Sequence, residues 1–411
     1  MTFKKIAKLG SLRIATLVLM LAQNVLVVRF LALDEIGRYY LIATIAYLGN
    51  AIVFVGADFH LQRSLAHLSE TPRLSRSGLV RYILATGVGG STLVLAAAIA
   101  YAVFALGESW RPFALVCCVL SLATYLSGLG RNLLQLAGLP TYSNFGPLTE
   151  GIARTVMLIL LAVSSHASAI SVATASAVGS LLAATVTLPL LCRMCKPVDE
   201  SYLKHPGALF RKVFPIGSSG FLNWAQLQGY RTVVASSAGG AQFVGTVSFM
   251  STLGSTAANA AFTILAQLQV PRQYQSRGAS TARYLLQLGG LALLLTLLCL
   301  PAGAVFLWLT NRTELLGRVY LVAVGVILEA GNAAIGVCTN HANVLGKPMW
   351  QLPLAGLVGC GIAYGTLFAP SLISDPISRI ATSLVLGQLA ATALVLFFTY
   401  SHNRDLPNAQ Q

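Results

Sequence analysis

The sequence predicts an all-α polytopic membrane protein, with about 12 transmembrane helices in two parallel six-helix repeats around a central cavity. Three observations predict this fold. Of the 411 residues, 56% are hydrophobic and 9% are charged, with a mean hydropathy of +0.73, which is typical of a membrane protein. About twelve apolar runs approach or exceed the roughly 20 residues that cross a bilayer. Segments of the two halves also resemble each other at a constant spacing.

The predicted spans alternate with short connections. The first six are 11–31, 39–57, 79–106, 111–136, 145–163 and 168–191. The second six are 213–235, 243–269, 284–309, 315–342, 350–369 and 377–400. The basic connector 192–212 separates the two sets, so we predict an N-terminal lobe over 1–200 and a C-terminal lobe over 201–411.

The net charge of +15 is distributed according to membrane topology. Most of the 27 basic residues lie on one side of the predicted spans, in the N-terminal tail and in every second connection. This bias places both termini in the cytoplasm. Topology accounts for the charge, so it does not indicate nucleic-acid binding. Five arginines fall on the outer side: Arg38, Arg111, Arg312, Arg318 and Arg379.

Similar segments recur about 208 residues apart. FKKIAKLGS at 3–11 resembles FRKVFPIGS at 210–218, and QLAGLP at 135–140 resembles NVLGKP at 343–348. Gly37 lies 208 positions before Gly245. Six spans is an even number, so both copies would cross the membrane in the same orientation. Parallel repeats are one plan of alternating-access transporters, which bind cargo between the repeats.

Two equivalent spans carry polar stripes. The tenth span has five polar or small residues at intervals of three or four, which therefore share one helix face. They are Glu329, Asn332, Gly336, Asn340 and Asn343. The positions 208 residues earlier are Ser121, Thr124, Gly128, Asn132 and Gln135. Two interpretations are open: a polar lumen between the lobes, or interhelical hydrogen bonding with close glycine packing.

Arginines inside the spans are candidate ligands for an anionic cargo, because a charge within the bilayer is unfavourable. Arg154 is predicted near mid-membrane, Arg29 and Arg231 nearer the outer face, and Arg131 nearer the inner face. Asn132, Gln135, Asn332 and Asn340 of the stripes complete the candidate substrate-binding set.

The same charges also have purely structural interpretations. Arg29, Arg131 and Arg231 are close enough to the interfaces to snorkel, and Arg154 is four residues from Glu150 on one helix, the spacing of an ion pair. The candidate coupling acids are Glu329, Glu150 and Asp58, with a protonated core residue as the alternative for Glu329.

Several stretches resemble the polysaccharide flippases of the multidrug/oligosaccharidyl-lipid/polysaccharide exporter superfamily. They are LAQNVLVVRFLALDEIGRYYLIATIAYLGN at 21–50, GRNLLQLAGLPTYSNFGPLTEGIAR at 130–154 and FPIGSSGFLNWAQLQGYR at 214–231. The resemblance covers nearly the whole chain. This chain departs from the pattern at Tyr230, where family members commonly have an acid, and at Val247, where they have a tyrosine.

The resemblance implies transport of an undecaprenyl-pyrophosphate-linked oligosaccharide across the bacterial cytoplasmic membrane. The implied partners are this lipid-linked glycan, membrane lipid and the polysaccharide polymerase machinery. A drug or metabolite antiporter of the same fold is the alternative, although cationic cargo would favour an acidic cavity. A membrane glycan polymerase or ligase would need positioned acid/base residues on a sizeable outer loop, and the outer loops are short. The sequence contains no Walker motif, and we predict no enzyme activity, cofactor or metal.

Overall fold

The computed structural model describes residues 3–54, 76–107, 110–136, 139–164, 166–194, 217–237, 239–345 and 350–401, and within these ranges the regular secondary structure is entirely helical. The first six helices are α1 (Phe3–Phe30), α2 (Leu33–Gly49), α3 (Arg76–Tyr101), α4 (Trp110–Leu136), α5 (Pro140–Val163) and α6 (Ala169–Met194). Helix α7 comprises residues 217–224, a π-helical turn at Ala225–Gly229 and the segment Tyr230–Ala235. The remaining helices are α8 (Gly240–Gln275), α9 (Thr281–Leu309), α10 (Tyr320–Val344), α11 (Gln351–Leu367) and α12 (Pro376–Ser401).

The prediction of an all-α, multi-pass membrane protein is confirmed. Among the described residues, nine helices are long and apolar enough to cross a membrane, namely α1 to α6, α9, α10 and α12. Helix α11 is apolar but has only 17 residues. Helix α8 has 36 residues, but it is rich in serine, threonine and glutamine, so its hydropathy is lower than that of a typical span. A polar helix of this kind suits a position against other protein segments rather than lipid.

The chain divides into two compact units. The first unit comprises Met1–Phe221 and Arg231–Gln242, and the second comprises Leu222–Tyr230 and Phe243–Gln411. Helix α7 therefore contributes residues to both units. The predicted lobe boundary at 200/201 lies outside the described residues.

In the first unit, α6 packs against both α4 and α5, α1 packs against α5, and α2 and α3 pack against α4. Small residues of α6 and α3, such as Ala173 and Ala98, meet Leu41 and Ile42 of α2 in the core, where all four are almost fully buried. Burial of this apolar surface and the close packing of small residues hold the helices together.

In the second unit, α12 packs against α10 and α11, α9 packs against α10, and α11 contacts the π turn of α7. Helices α8 and α10 cross at two glycines, where Gly254 faces the carbonyl of Val322 and Gly325 faces the carbonyl of Ser251. The contacts α10–α12, α11–α12, α9–α10 and α7–α11 correspond to α4–α6, α5–α6, α3–α4 and α1–α5 of the first unit. The internal packing order is therefore the one that the predicted duplication requires.

An ion pair outside the membrane-spanning helices joins two connections of the second unit. Arg318 donates from Nη1 and Nη2 to the two carboxylate oxygens of Asp375, at 2.6 and 2.9 Å. The backbone N–H of Ser378 donates to the same carboxylate and so caps the first turn of α12. Partial burial would raise the pKa of Asp375, but hydrogen bonds from Arg318 and Ser378 outweigh it and lower the pKa to about 2.

Candidate functional site

Helix α5 carries an acid and a base one turn apart in the first unit. The Glu150 carboxylate accepts hydrogen bonds from Ser180 of α6 at 2.8 Å and from Ser127 of α4 at 3.3 Å. Both serines are buried. Gly179 of α6 allows the close approach, because a Cβ there would lie 3.0 Å from the Glu150 carbonyl oxygen and 3.3 Å from Cβ of Arg154.

Arg154 points to a different neighbour. Its Nη2 donates to the hydroxyl of Tyr39 on α2 at 2.8 Å, and its guanidinium carbon lies 5.8 Å from the centre of the Tyr39 ring. Its Nε is buried and has no hydrogen-bond partner in the described part of the chain. The structure therefore does not contain the Glu150–Arg154 ion pair that the i, i+4 spacing allowed, because the two side chains reach different helices.

Arg231 lies beside the next tyrosine of α2. Its guanidinium carbon is 5.2 Å from the centre of the Tyr40 ring, and its Nη1 donates to Thr44 at 3.1 Å. The rings of Tyr39 and Tyr40 are 5.3 Å apart and tilted by 58°. The structure thus brings Arg154 and Arg231 to adjacent tyrosines of one helix, and we name Tyr39, Tyr40, Arg154 and Arg231 the arginine–tyrosine cluster.

The remaining predicted basic residues are not bonded to this cluster in the described structure. Arg29 is exposed near the end of α1, and Arg131 is exposed on α4, within electrostatic reach of Arg13. Asp58 lies outside the described residues. Of the predicted α4 amides, Asn132 is half-buried, and Gln135 lies in α4 with a side chain outside the described part of the structure.

The polar stripe of α4 is partly satisfied within its own helix and partly open. Thr124 donates to the carbonyl of Leu120 at 2.7 Å. The Ser121 hydroxyl is buried without a hydrogen-bond partner among the described residues. A Cβ at Gly128 would meet no atom of the described residues within 4 Å. Among these residues, the glycine therefore borders open space rather than a closely packed helix.

The polar stripe of α10 meets amide side chains of the second unit. Asn259 of α8 donates to Glu329 at 2.6 Å. Gln388 of α12 donates to the side-chain oxygen of Asn332 at 3.3 Å, and Gln226 of α7 donates in turn to Gln388 at 2.9 Å. Gln226 and Gln388 are 2% and 1% exposed, so a buried chain of amides supports Asn332 of the stripe.

The far end of the α10 stripe is open. A Cβ at Gly336 would meet no atom within 4 Å, as at Gly128, the equivalent position 208 residues earlier. Asn340 is half-buried and makes no side-chain hydrogen bond to the described residues, and the side chain of Asn343 lies outside them. In both units the stripe therefore includes a glycine that borders unfilled space.

Sequence reasoning did not identify Tyr39, Asn259, Gln226 or Gln388 as site residues. Gln388 could have been identified, because it is a lone amide between apolar residues of a predicted span, where an unsatisfied polar group is unfavourable. Nothing in the sequence distinguishes Tyr39, Asn259 or Gln226 from the polar residues around them. In the described part of the chain, no group of three or more His, Cys, Asp or Glu side chains is placed to hold a metal ion.

No protein-family model and no curated protein matches the sequence. The structure is similar to that of an inward-facing multidrug resistance MATE family transporter of the MOP superfamily, with a TM-score of 0.65 and 12% identity over 97% of this chain and 96% of that one. It is also similar to the lipid II flippase MurJ in an inward closed conformation, with a TM-score of 0.63 and 12% identity over 95% of this chain and 87% of that one.

A third similar structure is a MOP superfamily transporter from Pyrococcus furiosus, described as having a binding pocket of reverse polarity. Its TM-score is 0.66, with 12% identity over 98% of this chain and 96% of that one. The chain therefore has the fold of MOP superfamily transporters over nearly its full length. Because multidrug transporters and a lipid flippase share this fold, the cargo must be argued from the side chains.

Proposed function

We propose that the protein is a flippase that moves an undecaprenyl-pyrophosphate-linked glycan from the inner to the outer leaflet of a bacterial cytoplasmic membrane. The observation that carries this proposal is Arg154. It lies inside an apolar span, forms no ion pair with Glu150, and keeps a buried Nε without a partner among the described residues. An arginine in the bilayer costs roughly 2.5–3.5 kcal/mol on insertion scales, so it is a functional residue by default.

The surroundings of Arg154 suit a diphosphate. The guanidinium presents five N–H donors in a planar fork, which matches phosphate oxygens better than an ammonium does. The Tyr39 hydroxyl and ring fix the position of this fork before cargo binds, which reduces the entropy lost on binding. Arg231 beside Tyr40 gives a second guanidinium next to α2.

The polar stripes provide a route for the head group. Gly128 and Gly336 border open space on equivalent helices, and polar surface of this kind is unfavourable unless it faces protein or water. Under this proposal the two stripes provide the polar surface along which the head group crosses the membrane by alternating access. The polyprenyl tail stays in the bilayer while the glycan crosses.

Gene deletion tests the proposal. Loss of a flippase causes lipid-linked glycan to accumulate in the cytoplasmic leaflet, whereas loss of a drug antiporter does not. The deletion strain is then complemented with Arg154→Gln, Arg154→Lys and the double variant Glu150→Gln/Arg154→Gln, all at normal protein abundance.

We expect Arg154→Gln and the double variant to fail, because both lack the cationic ligand. Arg154→Lys restores partial export at best, because one ammonium cannot reproduce the guanidinium fork. If the arginine served only to balance Glu150, the double variant would export normally, since neither charge would be stranded. Full export by the double variant would therefore remove Arg154 from the substrate site.

An ion-coupled multidrug antiporter is the second candidate. The observation in its favour is Glu329, a carboxylate on the open face of α10 that is bonded to an amide rather than to a cation. An antiporter of cationic drugs would lose drug efflux in Glu329→Gln and would show no accumulation of lipid-linked glycan after deletion.

A further inference from the structure

We propose that Asn259, Glu329 and Asn332 form a subsite on the second unit for uncharged sugar hydroxyls. This inference rests on the proposed flippase function and assigns the glycan, rather than the diphosphate, to this surface. It also gives Glu329 a role in recognition instead of the ion coupling that its position in a span suggested. We name the three residues the hydroxyl subsite.

The Glu329 carboxylate is held in place with one oxygen left over. Asn259 donates to its Oε1 at 2.6 Å. The Oε2 atom accepts no hydrogen bond from the described part of the chain. Glu329 therefore presents a fixed hydrogen-bond acceptor on the open side of α10.

Asn332 is oriented by the buried amide chain. Gln226 donates to Gln388, and Gln388 donates to Oδ1 of Asn332. The oxygen of Asn332 is therefore engaged, and its Nδ2 is left as a donor. Since Glu329 and Asn332 are three residues apart, the free donor and the free acceptor lie side by side on one helix face.

Two glycines make room for this chain. A Cβ at Gly331 would lie 2.5 Å from Nε2 of Gln388, and a Cβ at Gly359 would collide with Oε1 of Gln226. Both glutamines are almost completely buried, and a buried polar group is costly unless it is bonded. Two buried amides and two glycines therefore lie behind the half-buried Asn332. A binding residue needs such supporting contacts to hold a fixed orientation.

The chemistry of the subsite matches a sugar. Each sugar hydroxyl both donates and accepts, so neighbouring hydroxyls of one ring can bond to a carboxylate oxygen and an amide N–H together. A diphosphate would be repelled by the carboxylate, and the described helices of the second unit hold arginine only near their ends, at Arg272, Arg283 and Arg379. The uncharged part of the head group therefore fits this surface, whereas the diphosphate fits Arg154 of the first unit.

A bound cation is the competing occupant, because carboxylate and amide oxygens are cation ligands. In this structure the amide oxygen of Asn332 already accepts a hydrogen bond from Gln388. What Asn332 still offers beside the free carboxylate oxygen of Glu329 is an N–H donor, and a cation cannot use a donor. This geometry favours a hydroxyl.

The test compares two lipids with the purified full-length chain in nanodiscs. One is the lipid-linked glycan that accumulates in the deletion strain, and the other is the same lipid diphosphate after enzymatic removal of the glycan. We expect Glu329→Gln and Asn332→Asp each to weaken binding of the glycosylated lipid about tenfold, the loss of one hydrogen bond to a well-placed group. Binding of the bare lipid should change less than about twofold, since it carries no sugar hydroxyl for these side chains to bond.

Two further variants separate recognition from folding. Gln388→Met leaves the three subsite residues in place but frees Asn332 to reorient, so we expect a smaller loss that is again confined to the glycosylated lipid. Gln287→Met breaks another amide pair of the second unit, Gln269 to Gln287 at 2.6 Å, and should bind both lipids as the wild type does. Arg154→Gln should weaken binding of both lipids.

The outcomes distinguish the inference from the proposed function. If wild-type protein binds neither lipid, the flippase proposal fails and the subsite with it. If it binds both equally, or if the subsite variants weaken both equally, only the subsite is overturned. A Glu329→Gln variant that binds the glycan normally but loses its response to a sodium or proton gradient would assign this carboxylate to a cation and also overturn the subsite.

Discussion

Alanine at two glycines of helix α10 is expected to have opposite effects on stability. At Gly325, the added methyl group would meet the backbone of α8, with the carbonyl of Ser251 in its path and N of Ser255 2.9 Å away. At Gly336, about three turns further along, it would meet no atom within 4 Å. The substitution and the helix are the same, so only the surroundings differ.

The magnitude follows from two opposing contributions. Alanine in place of glycine stabilises a helix interior by roughly 0.5–1 kcal/mol, because less backbone entropy is lost on folding. Overpacking a tight contact costs about 1–3 kcal/mol, and at Gly325 the obstructing atoms are backbone, so the helices must separate. We expect Gly325→Ala to destabilise the protein by about 1–2 kcal/mol and Gly336→Ala to be neutral or stabilising by up to about 1 kcal/mol.

Unfolding of purified protein in detergent, followed by the reactivity of buried cysteines, measures this difference. A third variant, Gly336→Leu, tests whether this space is used in transport. It should fold as the wild type does, because the space beside Gly336 is free. Under the proposed function it should lose most export, because the leucine side chain would fill the path of the head group. Equal destabilisation by alanine at both positions would refute the assignment of open space. Normal export by a stable Gly336→Leu variant would refute the role of the stripe as a transport surface.

Two more predictions concern the connections that precede α10 and α12, and the stripes. Because the pKa of Asp375 in the folded protein is about 2, below the unfolded value of about 3.9, its pair with Arg318 stabilises the fold above about pH 4. This contribution is lost as the pH falls toward about 2. Both side chains are partly exposed, so we expect about 1 kcal/mol, measured as a loss of stability in Asp375→Asn at about pH 6 that disappears near pH 2. Cysteines at Thr124 and Asn340 should react with a small hydrophilic thiol reagent while buried Cys338 stays protected, and protection of both would indicate packed rather than open stripes.

The sequence predicted the features that depend on position along one helix. Apolar length located the spans, and the spacing of three or four residues placed Gly128 and Gly336 on polar faces. The 208-residue offset made these glycines equivalent, and both face open space in the structure. Periodicity is informative here because an α-helix fixes which residues share a face, whatever the helix later packs against.

Contacts between distant helices were not predictable in the same way. Tyr39 and Arg154 are 115 residues apart, and Gln226 and Gln388 are 162 residues apart. A hydrophobic pattern states that a helix face is buried but not which helix covers it. A lone glutamine in an apolar span indicates that a partner exists, and only the packing of α7 against α12 identifies it.

The partners of Glu150 and Arg154 bear on the structural alternative, in which the two side chains form an ion pair. The i, i+4 rule describes exposed helices, where the nearest charge of opposite sign is usually on the same helix. Inside a bundle, neighbouring helices compete for each side chain, and the hydroxyls of Ser127 and Ser180 take the carboxylate. Arg154 is left with a neutral phenol, which bonds to the guanidinium without cancelling its charge. A span that contains an arginine in this condition retains a cost that an ion pair would have reduced. Under the proposed function, the negative charge of the cargo would offset that cost.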